Sequence, residues 1–140
     1  MKHNLILRVV CKFLIPLIFL FALYVQFHGD FGPGGGFQAG VIFSAAIILY
    51  ALVFGVDTAK QVIPPYILRL LASLGVLIYA GTGVAGLLLG GNYLDYNVLA
   101  KTYLAGQHLG ILVVELGVGI TVMSVMLIIF FAFAERGRPE

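Results

Sequence analysis

Four long apolar runs constrain this chain more than any other feature. They cover roughly 9–27, 37–56, 67–89 and 107–134. A helix needs about 20 largely apolar residues to cross a bilayer. Backbone groups in hydrocarbon must be satisfied internally, and a helix does this within one segment. The expectation is an all-α integral membrane protein with four transmembrane helices, forming one membrane domain over 1–140. Composition agrees, because 61% of the residues are hydrophobic and only 10% are charged. Soluble domains carry about 25% charged residues. The fourth run exceeds what a bilayer core requires, so it should tilt or project beyond the membrane.

The links between the runs are short, which predicts that consecutive helices are neighbours. The segment 57–66 contains Pro64 and Pro65, and 90–106 is polar and tyrosine-rich. Lys2, Arg8, Lys12, Lys60, Arg69, Arg136 and Arg138 fall on one side of the four runs, and Lys101 alone on the other. Positive charge stays cytoplasmic, so both termini should be inside and the loops around 28–36 and 90–106 outside. The basic start ahead of an apolar run resembles a signal peptide. No small-x-small cleavage pattern follows it, so it reads as a retained first span.

A net charge of +2 gives no footprint for nucleic acid. The single cysteine, Cys11, excludes an intrachain disulfide and reads as a passive apolar residue. No Cys, His and carboxylate cluster has metal-ligand spacing, and no cofactor is implied.

Between the first two runs stands "HGDFGPGGGFQAG", residues 28–40. Glycines permit sharp reversal, and Pro33 removes an amide donor. A phosphate loop is excluded, because Phe37 stands where a Walker lysine belongs and no strand precedes it. Two readings remain. One is a glycine-rich external turn through Gly32, Pro33, Gly34, Gly35, Gly36 and Phe37. The other adds chemistry: open carbonyls with Asp30, beside His28, would suit a transiently bound hard cation such as Na⁺. The N-terminus of the second helix faces the same loop and favours anions. A cation would therefore use Asp30 and loop carbonyls instead of that helix end.

Glu115 is the sharpest single residue, in "LGILVVELGVGITV" eight residues into the fourth run. A carboxylate at membrane depth costs about 2.5–3.5 kcal/mol on insertion scales and marks a functional candidate. Such a group should face protein or water and can exchange protons. His108 precedes it by two turns on one face, ~10 Å away along the axis and out of direct contact. It reads either as a second station on one path or as an interfacial histidine. The second and third runs contain no acid, lysine or histidine between 37–56 and 70–89. A complete proton wire would need partner chains. The GxxxG pairs Gly36/Gly40, Gly86/Gly90 and Gly106/Gly110 point the same way, toward an assembled protein.

The segment "HGDFGPGGGFQAGVIFSAAIILYAL" resembles the signature of the MnhB-type subunits of multisubunit Na⁺/H⁺ antiporters, the Mrp or Mnh family. Related chains occur in membrane-bound hydrogenase complexes. The PGGGF core between two spans is the specific element, and the four-span layout extends the resemblance over essentially the whole chain. Many family members have histidine three residues before the motif proline, where this chain has Asp30. The resemblance implies a small subunit of a large complex in a bacterial or archaeal cytoplasmic membrane. Its partners would include large subunits resembling the pumping subunits of respiratory complex I. The complex would exchange Na⁺ for H⁺, and this chain would build part of the ion path without acting alone. It would not be an enzyme.

Two other readings compete. One is a purely structural membrane subunit of an antiporter-like or hydrogenase-type complex. The other is a small multidrug exporter, which also has four spans and one glutamate. Here the glutamate lies in the last span and tryptophan is absent.

Overall fold

A computed structural model describes residues 4–29, 31 and 34–137. Among the described residues five α-helices follow one another: α1 Leu5–Phe27, α2 Gly36–Phe54, α3 Val56–Val62, α4 Pro65–Leu88 and α5 Tyr103–Arg136. A short 3-10 turn, Tyr96–Leu99, precedes α5. No strand occurs among the described residues. All but α3 are long and apolar enough to cross a membrane.

Local chemistry explains the helix ends. Asn4 caps α1 by accepting from the Leu7 amide at 3.3 Å. Thr102 caps α5 by accepting from the Ala105 amide at 3.4 Å, so the helix starts at Tyr103, four residues before the apolar run. Pro65 starts α4 at a position where its missing amide is harmless. Gly55, at φ 109°, turns the chain sharply out of α2 and into α3. The sequence predicts a plain link at 57–66, whereas α3, about two turns long, occupies most of it. Ala59 of α3 is buried against Ile47, Ala51, Leu68, Leu127 and Phe131. Lys60 completes the contact with an ion pair to Glu135 at the end of α5.

The helices form a staggered layer, in the order α1, α2, α5, α4. The expectation that consecutive spans are neighbours holds for the first pair and for the last. It fails between α2 and α4, because α5 inserts between them. The cause is the pair Gly117 and Gly119. Residues two apart on a helix point about 200° from each other. Gly117 therefore faces α4, where a methyl on it would stand 2.8 Å from the Gly75 carbonyl. Gly119 faces the other way, toward Gln26 of α1 and the Gly36 carbonyl of α2. One helix is thereby approached closely on two opposite sides.

The glycine pairs are used inside the chain, which corrects their reading as surfaces for partners. Gly36 and Gly40 close on the backbone of Glu115 and Gly119. Gly106 and Gly110 hold Tyr96, whose ring would collide with any side chain at Gly110. Gly86 packs on the loop at Asn92 and Asp95. Gly90 lies beyond the end of α4 at φ 88°, so the third pair is no helix-packing motif. In lipid such packing replaces the hydrophobic drive as the source of cohesion. Hydroxyls inside the helix bundle, buried or half-buried, add no demand for partners. Ser44, Thr82, Thr121 and Ser124 each donate to a carbonyl of their own helix, at 2.7–2.9 Å.

Cys11 is buried with Ile15, Ala46 and Val53 where α1 meets α2, as its apolar reading requires.

Candidate site where Glu115 meets the glycine loop

The end of α1, the loop after it and the start of α2 close over one side chain of α5. The carboxylate of Glu115 is pressed against the loop backbone. A methyl on Gly29 would stand 2.9 and 3.0 Å from its two oxygens and 3.2 Å from the Gly34 carbonyl. A methyl on Gly35 would stand 2.8 Å from Glu115 Oε1. One on Gly36 would collide with the Glu115 carbonyl. The glycines are thus required by close approach, and Gly34 is also required by its φ of 146°.

Gly35 is the N-cap of α2 and has no side chain with which to cap that end. The first amides of a helix have no intrahelical acceptors, and this end carries partial positive charge. The anion-favouring helix end identified in the sequence therefore has a carboxylate beside it, supplied by the same chain. Gln38, in the first turn of α2, places its Oε1 3.7 Å from the methyl position on Gly35. Carboxylate oxygens and the Gly34 carbonyl converge on one small region, a donor set of oxygens only.

Gln26 lies next to this region and was not singled out in the sequence. It is 4% exposed, and its Oε1 abuts Gly119. Its Nε2 is buried with no hydrogen-bond partner among the described residues. The side chain borders a cavity of about 240 Å³ with Phe43, Leu116 and Met123. The lone amide of a span whose charged residues, Arg8 and Lys12, stand near its opposite end was the available signal.

Asp30, Gly32 and Pro33 lie outside the described residues. His28 follows the last turn of α1 and is exposed, its ring stacked on Tyr24 at 4.8 Å and tilted against Phe31 at 5.8 Å. Phe37 is exposed on the outer face of α2. His108 is exposed in the second turn of α5. Both His108 and Glu115 are engaged by other groups. No group of three or more His, Cys, Asp or Glu with metal-binding arrangement occurs among the described residues.

Depth also changes. Glu115 is level with the ends of α1 and α2, whereas α5 continues past it to Tyr103, ~18 Å further at 1.5 Å per residue. The α4–α5 pair therefore overhangs the α1–α2 end, and Glu115 stands at the foot of that step. Within the overhang, Gln107 donates to Asn97 at 2.6 Å. Burial, and then the charge of Tyr79, raise the Tyr96 phenol above its ordinary value of 10.0.

Residues 6–128 match the family described as "Domain related to MnhB subunit of Na+/H+ antiporter". This chain belongs to the MnhB family. Relatives include the "Putative antiporter subunit mnhB2" of Staphylococcus aureus strains Newman and COL. Each is 35% identical, over 88% of this chain and 94% of the relative. In this MnhB chain Gly29, Gly35 and Gly36 thus lie against an acidic residue of the last helix.

Proposed function

We propose that this MnhB chain is a subunit of a multisubunit Na⁺/H⁺ antiporter and builds part of its ion path without acting alone. Family membership supports the subunit role. The single observation that carries the ion-path role is the Glu115 carboxylate seated between Gly29 and Gly35. A carboxylate costly to bury is held by a backbone whose side chains have been removed to admit it. Its oxygens, with the Gly34 carbonyl, suit a hard monovalent cation or a proton in alternation. Asp30 belongs to the same loop and is the second candidate ligand. The Gln26 cavity would extend a hydrated route inward, since a water there satisfies the buried amide.

In this reading the termini face the cytoplasm and the glycine loop faces outward, following the clustering of Arg8, Lys12, Lys60, Arg69 and Arg136 at one end. The membrane is the cytoplasmic membrane of a bacterium or archaeon. Large pumping subunits resembling those of complex I supply the remaining proton pathway.

The test uses the whole complex in everted vesicles. Glu115→Gln and Asp30→Asn should reduce Na⁺-driven proton exchange while native gels show normal assembly. Full exchange with normal assembly would refute the ion-path role.

One observation favours a second reading, in which the chain is structural only. Gly36 and Gly40 pack so closely on α5 that the motif would be needed for helix contact alone. That reading predicts loss of the complex itself in the same variants.

A further inference from the structure

At the opposite end of the molecule, away from Glu115, a basic cavity opens between α1 and α2. It measures about 420 Å³ and is lined by Arg8, Lys12, Ile15, Pro16, Tyr50 and Phe54. Among the described residues no acid lines it. The Arg8 guanidinium lies over the Phe54 ring, 5.5 Å from its centroid. Arg8 Nε is buried and meets no hydrogen-bond partner among the described residues. Such a donor is costly to leave unsatisfied, and more so when charged.

A second cavity of about 280 Å³ adjoins the first and shares Ile15 and Tyr50 with it. Its other walls are apolar, among them Phe19, Ala46, Ala59 and Ile63. Two chemistries therefore meet across one pair of residues: a cationic mouth and an apolar recess running between α1, α2 and α3. An inorganic anion would use only the mouth, and an apolar partner helix would leave Arg8 Nε unsatisfied. A single molecule with an anionic head and a hydrocarbon tail fits both.

The geometry points to a binding site for one anionic phospholipid, its phosphate on Arg8 and Lys12 and an acyl chain in the recess beside Ala46. Basic pockets between membrane helices bind anionic headgroups by this combination. The site is independent of the ion-path reading and shares no residue with it.

The test is photolabelling of the assembled complex by phosphatidylglycerol carrying a photoactivatable acyl chain, with adducts mapped by mass spectrometry. In the unaltered complex, adducts should fall on the segments holding Ile15, Tyr50 and Ala59. Phosphatidylcholine with the same tail should label them more weakly. Labelling should fall about fivefold for each of Arg8→Gln and Lys12→Gln. Ala46→Phe fills the recess and should lower labelling with both cations in place. Excess inorganic phosphate should not compete. Equal labelling by the two lipids, adducts confined elsewhere, or crosslinking of Tyr50 to a partner subunit in place of lipid would overturn the proposal. So would competition by phosphate with Ala46→Phe unaffected, which identifies a free-anion site. The mapping in the unaltered complex decides the matter even if a variant fails to assemble.

Discussion

Glu115 of α5 and Gly35 at the start of α2 approach so closely that a methyl on Gly35 would stand 2.8 Å from Glu115 Oε1. Eighty positions of sequence separate them. The contact joins the motif loop and the acidic residue into one site, and it makes the loop's composition a steric requirement.

The first prediction contrasts two glycines. Gly36→Ala drives its methyl into the Glu115 carbonyl, and overpacking of this kind costs about 1–3 kcal/mol. Gly81→Ala meets nothing within 4 Å. It should be neutral or stabilise by up to about 1 kcal/mol through helix propensity. Thermal unfolding of the detergent-solubilised complex should separate the two. Equal tolerance would show that α2 and α5 are not held as closely as described.

Gln26 makes a second prediction. Gln26→Leu keeps the volume and removes a buried amide, so stability should hold or rise. If the amide holds a water on the ion route, exchange should slow about fivefold, the equivalent of about 1 kcal/mol for one lost hydrogen bond. Stopped-flow exchange in proteoliposomes measures this against assembly on native gels. Unchanged exchange would remove Gln26 and its cavity from the route.

The Tyr96 phenol gives a prediction about pH. Its folded value lies above 10.0, raised first by burial and then by Tyr79. A raised value means the folded loop holds the proton more tightly than the unfolded chain. Stability is therefore fully present below pH 10 and declines as pH rises through the folded value. In an ultraviolet titration, Tyr96→Phe should remove a component that ionises above pH 10. Loss of a component below pH 10 instead would contradict the half-buried position of the ring against Gly110.

The four spans were legible because each is long and apolar, and the helix class follows from that alone. α3 was not, since seven residues with Asp57 and Lys60 look like a polar link. Its burial depends on Ala59 meeting Leu127 and Phe131 of a distant helix. The order of the layer was also hidden. Glycines at 117 and 119 show that α5 can be approached closely, but only the fold shows that both sides are taken. Glu115 and the PGGGF loop each stood out on chemical grounds. Their meeting did not, because no periodicity links residues eighty positions apart. Gln26 was visible as the lone amide of its helix and acquires meaning only beside Gly119.

The most direct test of the central claim is a double-mutant cycle on Na⁺-driven proton exchange by the reconstituted complex. It compares the unaltered chain, Glu115→Gln, Gly35→Ala and the double variant, each at equal assembly. If the loop serves the carboxylate, both single changes should slow exchange and the double variant should be no slower than Glu115→Gln alone. Coupling of about 0.5–3 kcal/mol is the expected range for residues in contact. Independent, multiplicative losses would contradict the account, as would full exchange by an assembled complex carrying Glu115→Gln.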